Sequence, residues 1–326
     1  MLITISAMAV LFFLAWTAGA NNAANVMGIP VGSGVLSIRN AVIIVFVLEF
    51  YGAVFFGGHV ADTVGLDIVT SSGMRMVEAV AVVFVAGVFM FLASYFKIPV
   101  SMAQVLVGCV IGYGLATSAA LDLTVVTWIA MGWLFSPFIG ILLGFVGYYL
   151  VNAYFLSDFL NMAEVGRSFR FFAGLEIFSA ALIAFAQGAN NISAIVGVFH
   201  AVIPPLEGSY ILAFKALGGL GIGVGMATWG YRVMKTISSR IVALNPAMCF
   251  ASELSAAIIV LFFTFVGLPV SSVHVVVGTV VGVGLISGAQ AIHKDVMYEI
   301  AGSWIFVVPV AAVVSMLVVR ALLVFV

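Results

Sequence analysis

The chain has 326 residues, of which 65% are hydrophobic and only 7% are charged, and its formal net charge at pH 7 is −1. A soluble domain of this length could not cover its surface with so few charged side chains, so the composition excludes a soluble globular protein and predicts a polytopic membrane protein. A net charge so close to zero gives no sign of a nucleic-acid partner. We expect the lipid bilayer, and no nucleic acid, as a partner.

Apolar runs follow one another along the chain, and each approaches the length of about 20 residues that spans a bilayer. Allowing for runs that contain Gly or Pro, we expect about ten to twelve transmembrane segments. The first run has neither a basic leader nor a small-residue cleavage site, so we interpret it as a span rather than a signal peptide. The runs lie near 2–18, 41–57, 79–96, 100–119, 124–151, 171–187, 210–231, 252–268, 270–290 and 300–326.

The connections between the runs are short, and none is long enough for an extramembrane domain. The most polar ones are 157–170 and 231–240. Arg232, Lys235 and Arg240 in the second connection predict a cytoplasmic loop, because loops on that side carry an excess of basic residues.

The stretch AGANNAANVMG, residues 18–28, places Asn21, Asn22 and Asn25 directly after the first apolar run, and GANN returns at 188–191. Glycine followed by amides predicts an interrupted membrane helix, whose freed backbone groups must be satisfied by protein, solute or ion. Amide donors and the positive end of a helix dipole suit an anionic solute. The sequence therefore predicts an anion site at these two motifs.

A second motif pair occurs in the same order. The segment KIPVSMAQVLVGCVIGYGL (97–115) aligns without gaps to GLPVSSVHVVVGTVVGVGL (267–285), an offset of 170 residues, and the two GANN motifs are offset by 169. Interrupted segments at corresponding positions of two halves mark the binding site of a duplicated transporter. We predict a first repeat at 1–156, a polar connection at 157–170 and a second repeat at 171–326.

The predicted fold is all-α and polytopic, with discontinuous helices and re-entrant hairpins. An odd number of spans before the second GANN predicts that the two repeats have inverted topology.

Two acidic residues lie within apolar runs, where a charge costs a few kcal/mol. They are Glu49 in VLEFYGA and Glu253 in ASELSAA, and we predict that they bind a coupling cation or proton. His274 could relay a proton, but its counterpart Gln104 cannot titrate, which disfavours that role. Cys109 and Cys249 are isolated and predict buried small side chains.

These motifs resemble those of the inorganic phosphate transporter (PiT) family. GANNAAN and GANNISA stand where the family has roughly GANDVAN, PVSMAQ and PVSSVH resemble its PVSTTH, and 217–257 is similar to its second-half block. The resemblance extends over the whole chain. It implies cation-coupled symport of a tetrahedral oxyanion by a multi-pass protein of the cell membrane. It also implies that the protein has no cofactor beyond the coupling ion, Na⁺ or H⁺, and forms a homo-oligomer.

The resemblance also assigns residues. Glu49 and Glu253 fall on acidic positions that the family uses in transport. The anion-binding set would be Asn21, Asn22, Asn25, Ser101, Gln104, Gln187, Asn190, Asn191, Ser193, Ser271, Ser272 and His274.

The chain departs from the family signature at Asn22 and Asn191, where the family has Asp, and at Met102-Ala103-Gln104. The usual sodium sites thereby lose two carboxylates, which leaves Na⁺ and H⁺ as alternatives. Sulfate has no proton to donate to a carboxylate, so walls of hydrogen-bond donors favour it, and we expect a slight preference for sulfate.

The main alternative is a sodium-coupled phosphate symporter, and a remote one is an anion channel. An enzyme is disfavoured because the sequence shows no nucleophile–base pair and no metal-ligand cluster.

Overall fold

The computed structural model describes residues 2–70, 73–96, 98, 100–156, 162–202, 208–230, 245–286 and 294–325, apart from the side chains of 23–25, 162–165, 167, 208 and 294–304. Within these ranges the chain is predominantly helical. Its α-helices are α1 (Leu2–Gly32), α2 (Ile38–Phe56), α3 (Gly58–Asp62), α4 (Met76–Tyr95), α5 (Met102–Thr117), α6 (Leu123–Val151), α7 (Met162–Gln187), α8 (Ser193–His200), α9 (Gly208–Gly225), α10 (Pro246–Phe265), α11 (Ser272–Ile286) and α12 (Lys294–Leu323).

Short π-helical turns extend or join several of these helices. They are Thr63–Asp67, Asn152–Leu156, Gly188–Ile192 and Met226–Gly230. The predicted cytoplasmic loop at 231–240, Pro99 and part of the connection at 157–170 lie outside the described residues.

Eight helical stretches of the described chain are long and apolar enough to cross a membrane. They fall on α1, α2, α4, α6, α7 with α8, α9, α10 and α12. The remaining two apolar runs form α5 and α11, which have 16 and 15 residues and fall short of the roughly 20 that a span requires. The ten apolar runs of the sequence thus become eight candidate spans and two short buried helices.

The two short helices pack along long helices that are distant in sequence. Helix α5 packs on α12, and α11 packs on α6. Glycine makes both contacts close, because a Cβ at Gly112 would overlap the carbonyl oxygen of Ala312, and one at Gly282 would overlap that of Ile141. Small residues that let backbones approach are typical of helix packing in membranes.

Helices from the two predicted repeats also pack on each other elsewhere. Helix α1 packs on α9, and α2 packs on α7 and on the π-turn Gly188–Ile192. One apolar core extends through the chain from Ala7 to Val319. The predicted repeats therefore share one core.

The first GANN motif does not interrupt its helix, which differs from our expectation. Helix α1 continues from Leu2 to Gly32, straight through Asn21 and Asn22, whereas the second motif forms the π-turn Gly188–Ile192. The backbone of α1 stays helical through the motif. It is the Asn21 side chain, and not a freed backbone group, that hydrogen-bonds to neighbouring segments. Single π-turns inside helices are frequent at functional sites.

Candidate functional site

Asn21 hydrogen-bonds residues of the segment that leads into α5. Its Nδ2 donates to Ser94 Oγ at 3.3 Å and to the Ile98 carbonyl at 3.2 Å, and its Oδ1 accepts from the Val100 N–H at 3.4 Å. Asn21 is 3% exposed. A single buried amide thus ties α1 to the end of α4 and to the start of the short helix.

Asn190 makes the same three hydrogen bonds in the second half of the chain. Its Nδ2 donates to Thr264 Oγ1 at 2.9 Å and to the Leu268 carbonyl at 3.1 Å, and its Oδ1 accepts from the Val270 N–H at 3.1 Å. Each partner lies 170 residues after its counterpart around Asn21. The two motifs therefore hold the two extended segments in the same way.

These bonds give the first amide of each motif a positioning role. Both N–H donors of Asn21 and of Asn190 are engaged with protein groups in this arrangement. Anion binding by Asn21 and Asn190 stays a prediction.

The second amide of each motif is differently placed. Asn22 is buried, and its Oδ1 has no hydrogen-bond partner among the described residues. Asn191 donates from Nδ2 to Gln187 Oε1 at 3.3 Å, and the Gln187 Nε2 is itself buried without a described partner. Buried polar groups are nearly always hydrogen-bonded in proteins, so such atoms call for a ligand, an ion or water.

Two further motif residues carry buried polar atoms without a described partner. They are Gln104 Oε1 in α5 and Ser193 Oγ at the start of α8. The helices that carry these atoms are neighbours, because α8 contacts both α1 and α5. Unsatisfied acceptors and donors from both halves thus lie on helices that contact one another. The side chain of Asn25 lies outside the described residues.

The serines of the PVS segments begin the two short helices. Ser101 Oγ accepts from the Gln104 N–H at 3.4 Å, and Ser271 Oγ accepts from the His274 N–H at the same distance. Both hydroxyls act as helix caps. Ser272 is also buried, in the first turn of α11.

His274 is oriented by α6. Its Nδ1 lies 3.0 Å from the Trp133 carbonyl, and a carbonyl only accepts, so Nδ1 carries a hydrogen. Trp133 Nε1 in turn donates to the Pro269 carbonyl at 2.8 Å. These contacts fasten the second PVS segment to a helix of the first half.

Glu49 lies directly beside the second motif. It is 2% exposed, its Oε2 has no described hydrogen-bond partner, and its backbone packs against Gly188 so closely that a Cβ there would overlap it. The backbone contact thus brings residue 49, an acid with a buried side chain, to the start of the π-turn.

Glu253 lies at the contact of α7 and α10. Its Oε2 accepts from Ser179 Oγ at 2.8 Å, while its Oε1 has no described partner. A third such acid, which we did not predict from the sequence, is Glu176, which is fully buried in α7 and accepts from Ser33 Oγ at 2.7 Å. Its position inside an apolar run was the available signal. Glu78, also buried, is paired with Arg75 at 2.7 Å.

Comparison with known proteins decides the family. Residues 18–315 match the model of the Phosphate transporter family. This chain belongs to that family. The resemblance seen in the motifs is confirmed, and with its eight candidate spans this phosphate transporter family member is a multi-pass membrane protein.

Relatives of this family member are named for phosphate. A "putative phosphate permease" of Chlamydia muridarum is 31% identical, and the match covers 94% of this chain and 95% of the relative. Another, of Pyrococcus furiosus, is 29% identical, and the match covers 96% of this chain and 94% of the relative. The "Inorganic phosphate transporter 2-1, chloroplastic" of Arabidopsis thaliana is 28% identical, covering 94% of this chain and 70% of the relative.

A solved structure shares the whole fold. It is named "The sodium-dependent phosphate transporter", and it superposes with a TM-score of 0.89 at 26% identity, with 100% of both chains covered. Neither this structure nor the relatives named above points to a sulfate permease. The alternative that we kept, phosphate, therefore fits better than the slight preference for sulfate.

Proposed function

We propose that this protein is a cation-coupled symporter that imports inorganic phosphate. The observation that carries the proposal is the set of buried polar atoms without described partners on motif residues of both halves: Asn22 Oδ1, Gln104 Oε1, Gln187 Nε2 and Ser193 Oγ. The names of the relatives and of the structural neighbour support phosphate as the anion.

The chemistry of these atoms also favours phosphate over sulfate. Phosphate near neutral pH carries at least one proton, so it both donates and accepts hydrogen bonds, whereas sulfate only accepts. The amide oxygens of Asn22 and Gln104 offer acceptors for a P–OH group, and the Gln187 amide and the Ser193 hydroxyl offer donors for the other oxygens. Our expectation of sulfate gave weight to the donors of the amides, whereas the amide oxygens would face sulfate unpaired.

The proposed architecture consists of two inverted repeats, 1–156 and 171–326, which enclose the anion between them. The matched hydrogen bonds of Asn21 and Asn190 support this symmetry, since each positions the segment that precedes one short helix. In our proposal α5 and α11 close the site, with Ser101, Ser271, Ser272 and His274 at their N-terminal turns, where helix dipoles favour an anion.

Glu49 is the proposed cation ligand beside the anion. Its backbone contact with Gly188 supports a position near the second motif, and a buried carboxylate without a described hydrogen-bond partner on Oε2 attracts a cation. The name of the structural neighbour supports Na⁺ as that cation. The cation would offset the charge of the phosphate, which the neutral amides cannot do.

Uptake into proteoliposomes tests this function. Purified protein would receive labelled phosphate or labelled sulfate while an inward Na⁺ gradient or an inward H⁺ gradient is imposed separately. We expect accumulation of phosphate above its external concentration under the Na⁺ gradient, with unlabelled phosphate competing at lower concentration than sulfate. A channel would equilibrate the anion without concentrating it, and preferential accumulation of sulfate would refute phosphate as the substrate.

A further inference from the structure

A groove runs along the outer surface of the protein between α6 and α10. It has a volume of about 540 Å³, and Trp128 and Phe135 of α6 and Phe262 of α10 are among the residues that line it. All three side chains are exposed, and both helices are candidate membrane spans. Large apolar side chains on the outside of a spanning helix face lipid, so this first groove opens to the bilayer.

The first groove has the length of one lipid chain. Its lining extends along α6 from Val125 to Phe135, which is roughly 15 Å of helix. The hydrocarbon core of a bilayer is about 30 Å thick, so each leaflet contributes about half of that. A single hydrocarbon chain therefore matches the length of the groove.

One end of the first groove is polar. Thr63 and Asp67, in the π-turn that follows α3, also line it, and Asp67 alone carries a charge among the described lining residues. The backbone N–H of Asp122, which caps the start of α6, donates to the Ile68 carbonyl at 3.1 Å. This bond joins the residue after Asp67 to the start of α6, so the acid marks the Val125 end of the groove.

The charge of Asp67 has no described ion-pair partner. Neither of the two ion pairs formed by the described residues includes it. Burial and the neighbouring carboxylates of Asp62 and Asp122 raise the pKa of Asp67, as expected where negative charges gather. The polar end of the groove is thus negative, and a ligand with a positive group complements it.

A second groove corresponds to the first by sequence position. It has a volume of about 320 Å³, runs between α4 and α12, and is lined by apolar side chains throughout its described residues. Leu92, Ala93, Phe96 and Ile98 line it, and the residue 170 positions after each of them lines the first groove. The two grooves are therefore counterparts, but only the first contains an acid.

Both grooves border the segments that lead into the short helices. Ile98, whose carbonyl accepts from Asn21, lines the second groove, and Leu268, whose carbonyl accepts from Asn190, lines the first. An occupant of either groove packs against such a segment. A two-fold dimer covers one patch on each subunit, whereas these grooves lie between two different helix pairs. Lipid surrounds the whole protein and reaches both.

We propose that the first groove binds one phospholipid whose headgroup ends in a primary amine. A hydrocarbon chain of this lipid lies between α6 and α10, and its ammonium group donates hydrogen bonds to Asp67. The second groove, which lacks an acid, takes a hydrocarbon chain of any headgroup class. The lipid site is separate from the proposed anion site, and testing it requires no transport.

Tryptophan fluorescence in bilayers tests the site, because Trp128 lines the first groove. Purified protein would be reconstituted in phosphatidylcholine with increasing fractions of a chain-brominated lipid, either phosphatidylethanolamine or phosphatidylcholine, since bromine quenches a tryptophan that it contacts. The difference between wild type and Trp128→Phe gives the signal of Trp128. We expect the amine lipid to halve this signal at a fraction about two- to fivefold lower than the choline lipid, as for a partly exposed ion pair.

Two variants localise the effect. Asp67→Asn should remove the preference for the amine lipid, because the amide keeps the size of the side chain but not its charge. Leu92→Trp in the Trp128→Phe background is the matched control, since it places a tryptophan in the second groove, and both lipids should quench it equally. Equal quenching of Trp128 by both lipids, or a preference that persists in Asp67→Asn, would refute recognition of the amine. A Trp128 signal that neither lipid quenches would mean that a second copy of the chain covers the groove.

Thermal unfolding in detergent provides the second readout, because a ligand that binds the folded state stabilises it. Added phosphatidylethanolamine should raise the unfolding temperature of wild type more than phosphatidylcholine does, and the two lipids should act equally on Asp67→Asn. The same measurement verifies that each variant is folded. Equal stabilisation of wild type by the two lipids would overturn the proposal.

Discussion

The backbone of Glu49 in α2 packs directly on Gly188, the first residue of the second amide motif. A Cβ at 188 would overlap the carbonyl oxygen and the Cα of Glu49. Only glycine allows this approach, and the approach packs the backbone of the helix that carries Glu49 on the π-turn that carries Asn190 and Asn191. The glycine of the motif thus has a packing function that is separate from any contact with solute.

Gly188→Ala is expected to push α2 away from the π-turn. Overpacking of this kind costs about 1–3 kcal/mol, so we expect a lower unfolding temperature together with loss of phosphate uptake. Gly174→Ala is the matched control, because Gly174 lies in α7 and a methyl group there would have no other atom within 4 Å. Thermal unfolding in detergent and uptake in proteoliposomes measure both effects, and unchanged behaviour of Gly188→Ala would contradict the packing.

Asn21→Asp and Asn190→Asp are expected to destabilise the protein by similar amounts. Each keeps the acceptor for a backbone N–H but loses two donors and places a carboxylate oxygen against a backbone carbonyl. Loss of buried partners of this kind costs about 1–3 kcal/mol. Asn40→Asp, at an exposed position near the start of α2, is the control for the charge itself. A large effect at one position and none at the other would argue against matched roles.

Asn191→Asp is expected to make phosphate uptake strongly dependent on Na⁺. The new carboxylate would repel the anion unless a cation lies between them, so the KM for phosphate at low Na⁺ should rise by about tenfold, or roughly 1.4 kcal/mol. High Na⁺ should restore it. Asn191→Ala should also weaken uptake, because the amide is lost, but without recovery at high Na⁺. Equal responses of the two variants to Na⁺ would show that residue 191 does not border both ions.

Glu49→Gln is expected to abolish concentrative uptake while phosphate exchange continues. The amide keeps the size of the side chain but cannot bind a cation by charge, so the gradient no longer drives the anion. Glu78→Gln, whose parent carboxylate is paired with Arg75, should retain accumulation. Full gradient-driven accumulation by Glu49→Gln would exclude Glu49 as the coupling ligand.

Much of the site was predictable because the relevant residues are polar in an apolar chain. The amides at 21, 22, 190 and 191 and the carboxylates at 49 and 253 are conspicuous for that reason, and all of them are buried. The difference in contacts between adjacent amides was not predictable. Successive residues of a helix point about 100° apart, so Asn21 reaches the segment before α5 while Asn22 does not. Only the position of that segment decides which of the two amides binds it.

The sequence by itself determined that this is a multi-pass helical membrane protein with two matched motif pairs, because apolar length and the cost of buried polar groups act locally along the chain. Only the tertiary structure decided that the runs at 100–119 and 270–290 form short buried helices, since their apolarity equals that of the spans and the difference lies in the partners α12 and α6. Only the tertiary structure also joined Ser179 of α7 to Glu253 of α10. Burial of an acid follows from the residues around it in sequence, whereas its hydrogen-bond partner depends on which helix packs against it.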